Sequence, residues 1–366
     1  MHRILIAALI VPVHAGIEPA GPDPAAGRSL PDLFGGIQSI DLETEALLSD
    51  DIDIWRSALR YSQERQAWSL DAGLSHTDYT LDYQPFARFG GTPARLDEGT
   101  WQADLTFAHQ LGDSFEASLG FSGYDGFADY RSIWIAEYYR QTFNFPGSGY
   151  YPPDPHGWSV TGGLVWDPAI GTRLALDLIY GRDTIAPGWT FRTPGNDLLE
   201  TRAAALRWEQ ALNPRLKSEL SFLYNDVTDR DPRYHLQSSW AAVLTDELTL
   251  RAQLGAATED PNFEAYYGGL SLDYQFHDDW SLTLGGRLYE DTGEIESSGF
   301  NTAAPGVKTA ELGASVLYDN GDHALRLGVS FFETEYDPVS FANSFFANLY
   351  QERDWWTFRL AYSLNF

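Results

Sequence analysis

A membrane-spanning antiparallel β-barrel is the fold class that three features of this chain predict. The last eleven residues alternate strictly. Trp356, Phe358, Leu360, Tyr362, Leu364 and Phe366 are large and apolar, while Thr357, Arg359, Ala361, Ser363 and Asn365 are small, polar or charged. Such alternation makes a strand with two chemically different faces. About ten residues with an aliphatic middle and aromatic ends suit a strand that faces lipid. Second, amphipathic runs of ten to thirteen residues recur from about residue 67, joined by connections that alternate short and long. Third, no window past the N-terminus approaches eighteen consecutive apolar residues. A chain of this kind crosses a bilayer only by closing a barrel, which pairs every backbone group in lipid. A water-soluble β-sandwich would also bury one face of each strand, but it predicts neither this rhythm nor the closing aromatic residue.

The N-terminus has the form of an export signal over residues 1–15. Arg3 precedes the apolar run Ile4 to Val13, and Val13-His14-Ala15 supplies a small-residue cleavage site. Residues 16–66 read as a periplasmic leader, rich in Pro, Gly and Ala as far as residue 36. Within it the segment Asp51 to Ser62 is ambiguous. Trp55, Leu59 and Tyr61 fit a strand, whereas Ile52, Trp55 and Leu59 fit one helical face.

Strand 67–80 sets Ser69, Asp71 and Ser75 on one face. Strand 99–110 turns Trp101, Leu105 and Phe107 to lipid and Gln102, Asp104 and Thr106 inward. Strand 115–125 opposes Phe115, Leu119 and Phe121 to Glu116 and Ser118. Beyond the longest connection come 157–167 and 173–183, the latter with Leu174, Leu176, Leu178 and Tyr180 opposite Asp177. Strands 198–211 and 216–227 carry Arg207, Glu209, Lys217 and Glu219 inward; 234–244 and 248–257 add Arg251 and Gln253. Strand 264–276 repeats the pattern with Leu270, Leu272, Tyr274 and Phe276 against Asp273. Strands 280–290 and 308–318 bring Arg287 and Glu311, and 323–334 sets Leu325, Leu327, Val329 and Phe331 against Arg326. Strand 354–366 adds Arg359 and is expected to close the barrel against 67–80, near Asp71. Leu111-Gly112-Asp113-Ser114, Asn213-Pro214-Arg215 and Asp319-Asn320-Gly321-Asp322 are typical of the short connections. Fourteen strands result. Sixteen is the alternative, reached if Ile37 to Glu45 and Asp51 to Ser62 also pair.

The closing strand, with its terminal Phe366, resembles the C-terminal strand of Gram-negative outer-membrane β-barrels. The resemblance covers 67–366 at the level of architecture. It implies an outer-membrane location, a lipid-facing exterior and recognition of the last strand by the barrel assembly machinery.

The chain carries a formal charge of −28, and Lys occurs only at positions 217 and 308. Nucleic acid is excluded as a partner, because phosphate neutralisation needs basic surface. Cys is absent, which removes disulfides, thiolate metal sites and cysteine nucleophiles. Gly112-Asp113-Ser114 resembles the nucleophile motif of the GDS-type lipases but falls in a turn. Ser49-Asp50-Asp51-Ile52-Asp53 spaces its carboxylates like a calcium loop without the turn Gly. His76 and His109 would form a metal pair only if they were neighbours. No catalytic constellation, cofactor or metal site is therefore expected.

The inner wall is read as Asp71, Asp104, Glu116, Asp177, Arg207, Glu219, Arg251, Asp273, Arg287, Glu311, Arg326 and Arg359. Arg251 with Asp273, Arg287 with Glu311, and Asp177 with Arg207 should stand at similar heights. They form either a ladder that orients solutes or a set of salt bridges that fills the lumen. The 126–156 connection holds Tyr130, Arg131, Trp134, Tyr138, Tyr139 and Arg140. A short helix over Ile133 to Phe143, folded into or over the mouth, would resemble the constriction loop of porins. Alternatively its rings simply pack on the barrel rim. Acidic connections such as Asp229-Arg230-Asp231-Pro232 and Glu290 to Glu296 favour cations. The expected function is a water-filled, weakly cation-selective pore for small polar solutes. A non-conducting surface-binding or structural barrel and an outer-membrane hydrolase are the rivals.

Overall fold

The computed structural model describes residues 37–85, 91–150, 152, 154–184, 198–228, 231–260, 263–293, 305–338 and 348–366. The expected signal over 1–15, the leader over 16–36 and residues 229–230 and 294–296 of the acidic connections lie outside them. The described residues form a closed, all-antiparallel barrel of sixteen strands, each paired with its neighbours in sequence. In order they are β1 (Ile37–Leu48), β2 (Ile52–Arg65), β3 (Trp68–Tyr83), β4 (Ala94–Gly112), β5 (Phe115–Asp125), β6 (His156–Ala169), β7 (Thr172–Thr184) and β8 (Leu198–Asn213). There follow β9 (Leu216–Val227), β10 (Arg233–Val243), β11 (Leu248–Glu259), β12 (Phe263–His277), β13 (Trp280–Asp291), β14 (Val307–Asp319), β15 (His323–Tyr336) and β16 (Arg353–Asn365). One helix, α1 (Tyr130–Phe143), interrupts the long connection between β5 and β6.

The expectation of fourteen strands is overturned. β1 and β2 complete the wall, and β16 closes on β1 rather than on strand 67–80. The seam runs from Ser39 opposite Asn365 to Leu48 opposite Trp356. Its end is tied by Gln38 N donating to Phe366 O at 3.1 Å and Phe366 N donating to Gln38 O at 2.9 Å. The physical reason for the miss is a weak outer face. β1 shows lipid Ile40, Leu42, Thr44 and Ala46, and the last two barely differ in polarity from the inward residues of ordinary strands. In β2 the strand reading of Trp55, Leu59 and Tyr61 is the correct one.

Register separates the two faces everywhere. Odd residues of β16 share a face with Trp355, which is 1% exposed and packs against α1 inside the barrel. Even residues such as Trp356, Phe358 and Leu360 are about half exposed and point outward. A leucine-rich belt encircles the barrel, including Leu119, Leu178, Leu254, Leu270, Leu312 and Leu327. Aromatic girdles border it. At the short-turn end Trp68 stacks near Phe107, Phe115 on Trp166 and Trp280 near Tyr318. At the long-loop end lie Trp158 with Tyr180, Tyr224 with Tyr234, and Phe331 with Trp356. A continuous exposed apolar belt between two aromatic rings is the exterior of a transmembrane barrel. Replacing Leu327 with Arg should therefore destabilise the folded barrel by about 2–4 kcal/mol if the position lies at mid-bilayer. Urea titration in lipid vesicles, followed by Trp fluorescence, measures the shift; an unchanged midpoint would place that surface in water.

Candidate functional site: the lumen and its internal helix

The inner wall follows from strand parity. Parity sets Asp71, Asp104, Glu116, Asp177, Arg207, Glu219, Arg251, Asp273, Arg287, Glu311, Arg326 and Arg359 on the face opposite the leucine belt, on β3, β4, β5, β7, β8, β9, β11, β12, β13, β14, β15 and β16 respectively. Arg251 Nε lies 2.6 Å from Asp273 Oδ2, one diagonal step across β11 and β12, and Thr283 Oγ1 donates to Asp273 Oδ1 at 2.8 Å. Arg287 stands directly opposite Glu311. Asp177 and Arg207 behave otherwise. Arg207 pairs in register with Ala175 and turns its Nε to within 4.0 Å of Glu219 Oε1. Arg359 pairs across the seam, Nε to Glu43 Oε1 at 2.7 Å, with Glu45 beside it in register. Asp71 accepts from Ser62 Oγ at 2.6 Å, and Asp104 lies 3.9 Å from Arg60 Nη2. Glu116 accepts from Gln110 Nε2 at 2.6 Å. Arg326 faces inward between Leu317 of β14 and Ala361 of β16.

Helix α1 begins three residues before the predicted segment, because Asp129 caps it. Asp129 Oδ1 accepts from Ser132 N at 2.9 Å and from Ser132 Oγ at 3.1 Å, satisfying donors that a helix start leaves open. The helix lies inside the long-loop end. Tyr130, Ile133, Trp134, Ile135, Tyr138 and Tyr139 are buried in one cluster with Leu47, Ile52, Tyr79, Leu81, Tyr83, Phe332 and Trp355. Rings therefore do pack on the wall, but from within. Trp134 meets Tyr83 edge-on, and Tyr130 lies 5.8 Å from Trp355. Polar clasps add direction. Tyr79 Oη donates to Ala128 O at 3.0 Å. Gln141 receives Thr92 N at 2.6 Å and donates to Thr92 O at 2.8 Å. Arg140 forks onto Glu137 within the helix, while Arg131 Nη2 approaches Asp129 Oδ2 at 3.6 Å. Burial pushes the Tyr130 and Tyr138 phenols up, so both stay neutral at ordinary pH.

The wall under α1 shows a phase inversion that locates it. Along most of β3 the outward residues are apolar. At its end Asp78, Thr80 and Asp82 point out while Tyr79, Leu81 and Tyr83 point in. The same inversion occurs with Asp53 against Ile52 and Ile54, with Glu333 and Glu335 against Phe332 and Tyr336, and with Asp354 against Trp355. Past the bilayer edge the exterior meets water, and the interior meets α1.

Sequence reasoning missed the hub of this mouth. Arg353 opens β16 with a side chain only 3% exposed. It donates from Nε and Nη2 to the two carboxylate oxygens of Asp51 at 2.8 Å each, from Nη1 to Leu349 O and from Nη2 to Asn348 O, also at 2.8 Å. Its guanidinium lies 5.8 Å from the Trp134 ring centroid. The calcium-like Ser49 to Asp53 run is thus the β1–β2 turn and the first two residues of β2, with Asp51 given to Arg353. His76 pairs with Trp101, and His109 pairs with Trp68 at the opposite end of β3, so the two histidines are not neighbours.

No protein-family model and no curated protein matches the chain. Among solved structures it resembles a bacterial polysaccharide outer membrane secretin, with 9% identity over 90% of this chain and 98% of that one, at a TM-score of 0.51. It also resembles CdiB from Acinetobacter baumannii, with 10% identity over 90% of this chain and 60% of that one, at a TM-score of 0.52. The fold is that of an outer-membrane β-barrel. At such identities the likeness is one of architecture.

Proposed function

We propose that this barrel sits in a Gram-negative outer membrane as a water-filled pore through which small polar solutes diffuse, with weak preference for cations. One observation carries the reading. Arg60, Arg207, Lys217 and Arg173 face the lumen, yet their side chains are 49–59% exposed to solvent. Charged groups on an inner wall that keep half their surface in water require a wet lumen. The short-turn end then faces the periplasm, and α1 stands in the outer mouth.

The preference for cations rests on one sector of the wall. Among the described residues the inward faces of β3 to β6 carry Asp71, Glu98, Asp104 and Glu116 and no Lys or Arg. The remaining wall mixes both signs. A solute passing β3 to β6 meets a negative potential, which concentrates cations and depletes anions. The triple variant Asp71→Asn, Asp104→Asn, Glu116→Gln should move the reversal potential toward zero under a KCl gradient. A wild-type potential favouring anions would refute the preference outright. The packing of α1 supports a rival, a closed surface barrel. Reconstituted protein without discrete conductance steps in a planar bilayer would establish that rival.

A further inference from the structure

The inner wall holds a recess that nothing above assigns. It lies on β13 to β16 and β1, has a volume of about 60 Å³, and is floored by Gly285, Gly313 and Gly328 with Thr283, Ser315, Ser330 and Thr357. That is room for on the order of five water molecules, close to the bulk of a small amino acid. Two carboxylates, Glu45 and Glu311, and two guanidinium groups, Arg326 and Arg359, stand around it.

The floor glycines differ in what covers them: an added Cβ at Gly313 would meet Ser330 Cβ at 3.0 Å, whereas Gly328 has no neighbour so close. Gly73 lies under the Asp104 carboxylate, Gly163 under Ser118 and Asp177, and Gly255 under the Tyr267 ring. Those glycines make room for a neighbouring side chain. At Gly328 the nearest atoms to an added Cβ would be Ser315 Cβ of β14 and Arg359 Cβ of β16, at 3.5 and 3.7 Å, which is ordinary contact. Gly313, Gly285 and Gly328 are also absent from the positive-φ positions, so backbone conformation does not demand them. Glycine inside a strand weakens it and is one mark of a place where a ligand approaches closely; at Gly328 neither a turn nor a covering side chain accounts for it.

We infer that this recess is a binding subsite for a small zwitterion of amino-acid size. With Glu43 on Arg359 and Arg287 opposite Glu311 counted in, three carboxylates and three guanidinium groups balance, so a solute with net charge gains nothing from them as a set. A dipolar solute gains twice: its ammonium group meets Glu311 or Glu45, and its carboxylate meets Arg326 or Arg359. Arg359 is already braced on Glu43, which holds its guanidinium against the wall before a solute arrives. The inference names the solute class of the proposed pore and rests on that reading for its role in transport, though not for binding itself.

Calorimetric titration of the folded, full-length barrel in detergent micelles tests it, with L-serine and glycerol as probes. L-serine should bind the wild type, at least about tenfold more weakly to Glu311→Gln and to Arg326→Gln, and not measurably to Gly328→Val, whose side chain fills the floor. Glycerol should bind none of them. If Gly328→Val does not fold, the two charge variants decide. Absence of L-serine binding, equal binding of glycerol, or unchanged affinity in the charge variants would overturn the subsite. Conductance steps without L-serine binding would leave the pore and remove the subsite; binding without conductance would do the reverse.

Discussion

Replacing residues 130–143 with a short Gly-Ser linker is expected to raise single-channel conductance by at least about twofold, because the pore's narrowest cross-section then becomes that of the bare sixteen-strand wall. The helix rests on β1, β2, β3, β15 and β16 and buries six of its large side chains there. It therefore takes lumen area at the long-loop end that no other described helix shares. The strands hold one another by backbone hydrogen bonds around a closed ring, so the barrel does not need α1 to persist. Heat-resistant electrophoretic mobility checks that the ring is intact. Current steps in a planar bilayer give the result, and unchanged conductance would show that α1 does not constrict the path.

Arg353→Ala should have the largest effect on stability of any single substitution at the mouth. The change removes both bonds to Asp51 and those to Leu349 O and Asn348 O, and it leaves the Asp51 carboxylate, 19% exposed, to the neutral donors Gln351 Nε2 and Ser49 Oγ. Breaking a buried, bidentate pair from one side costs about 3–5 kcal/mol. Arg353→Lys should recover little of this, since a point ammonium cannot serve a carboxylate and two carbonyls in one plane. Chemical unfolding in lipid vesicles gives the loss. A second readout is the current: with Trp134 no longer covered by the guanidinium, α1 should loosen and open-channel noise should rise. A fall below about 1 kcal/mol would mean that water replaces these bonds without cost.

The exterior was legible because lipid enforces it. A residue that turns to hydrocarbon must be apolar, and in a strand that rule repeats every second position, so Trp101, Leu105 and Phe107 or Leu325, Leu327 and Val329 declare their face without neighbours. β1 escaped because Thr44 and Ala46 satisfy neither face strongly. Helix α1 was legible as aromatic density, and its true start was written in Asp129 with Ser132. The inward apolar run Tyr79, Leu81 and Tyr83 also held a signal. Reversal of the alternation at the end of a strand marks both the bilayer edge and the place where a plug packs.

By itself, then, the sequence determined a transmembrane barrel, the phase of its strands and the polarity of its inner wall, since each depends on residues one or two apart. Tertiary structure alone decided what required the ring to close. It set the sixteenfold count and the seam of β16 on β1. It chose Glu219 rather than Asp177 as the partner of Arg207, and it brought Asp51 to Arg353 across 302 residues of chain. Register and shear place such pairs, and neither is encoded in the spacing of any one strand.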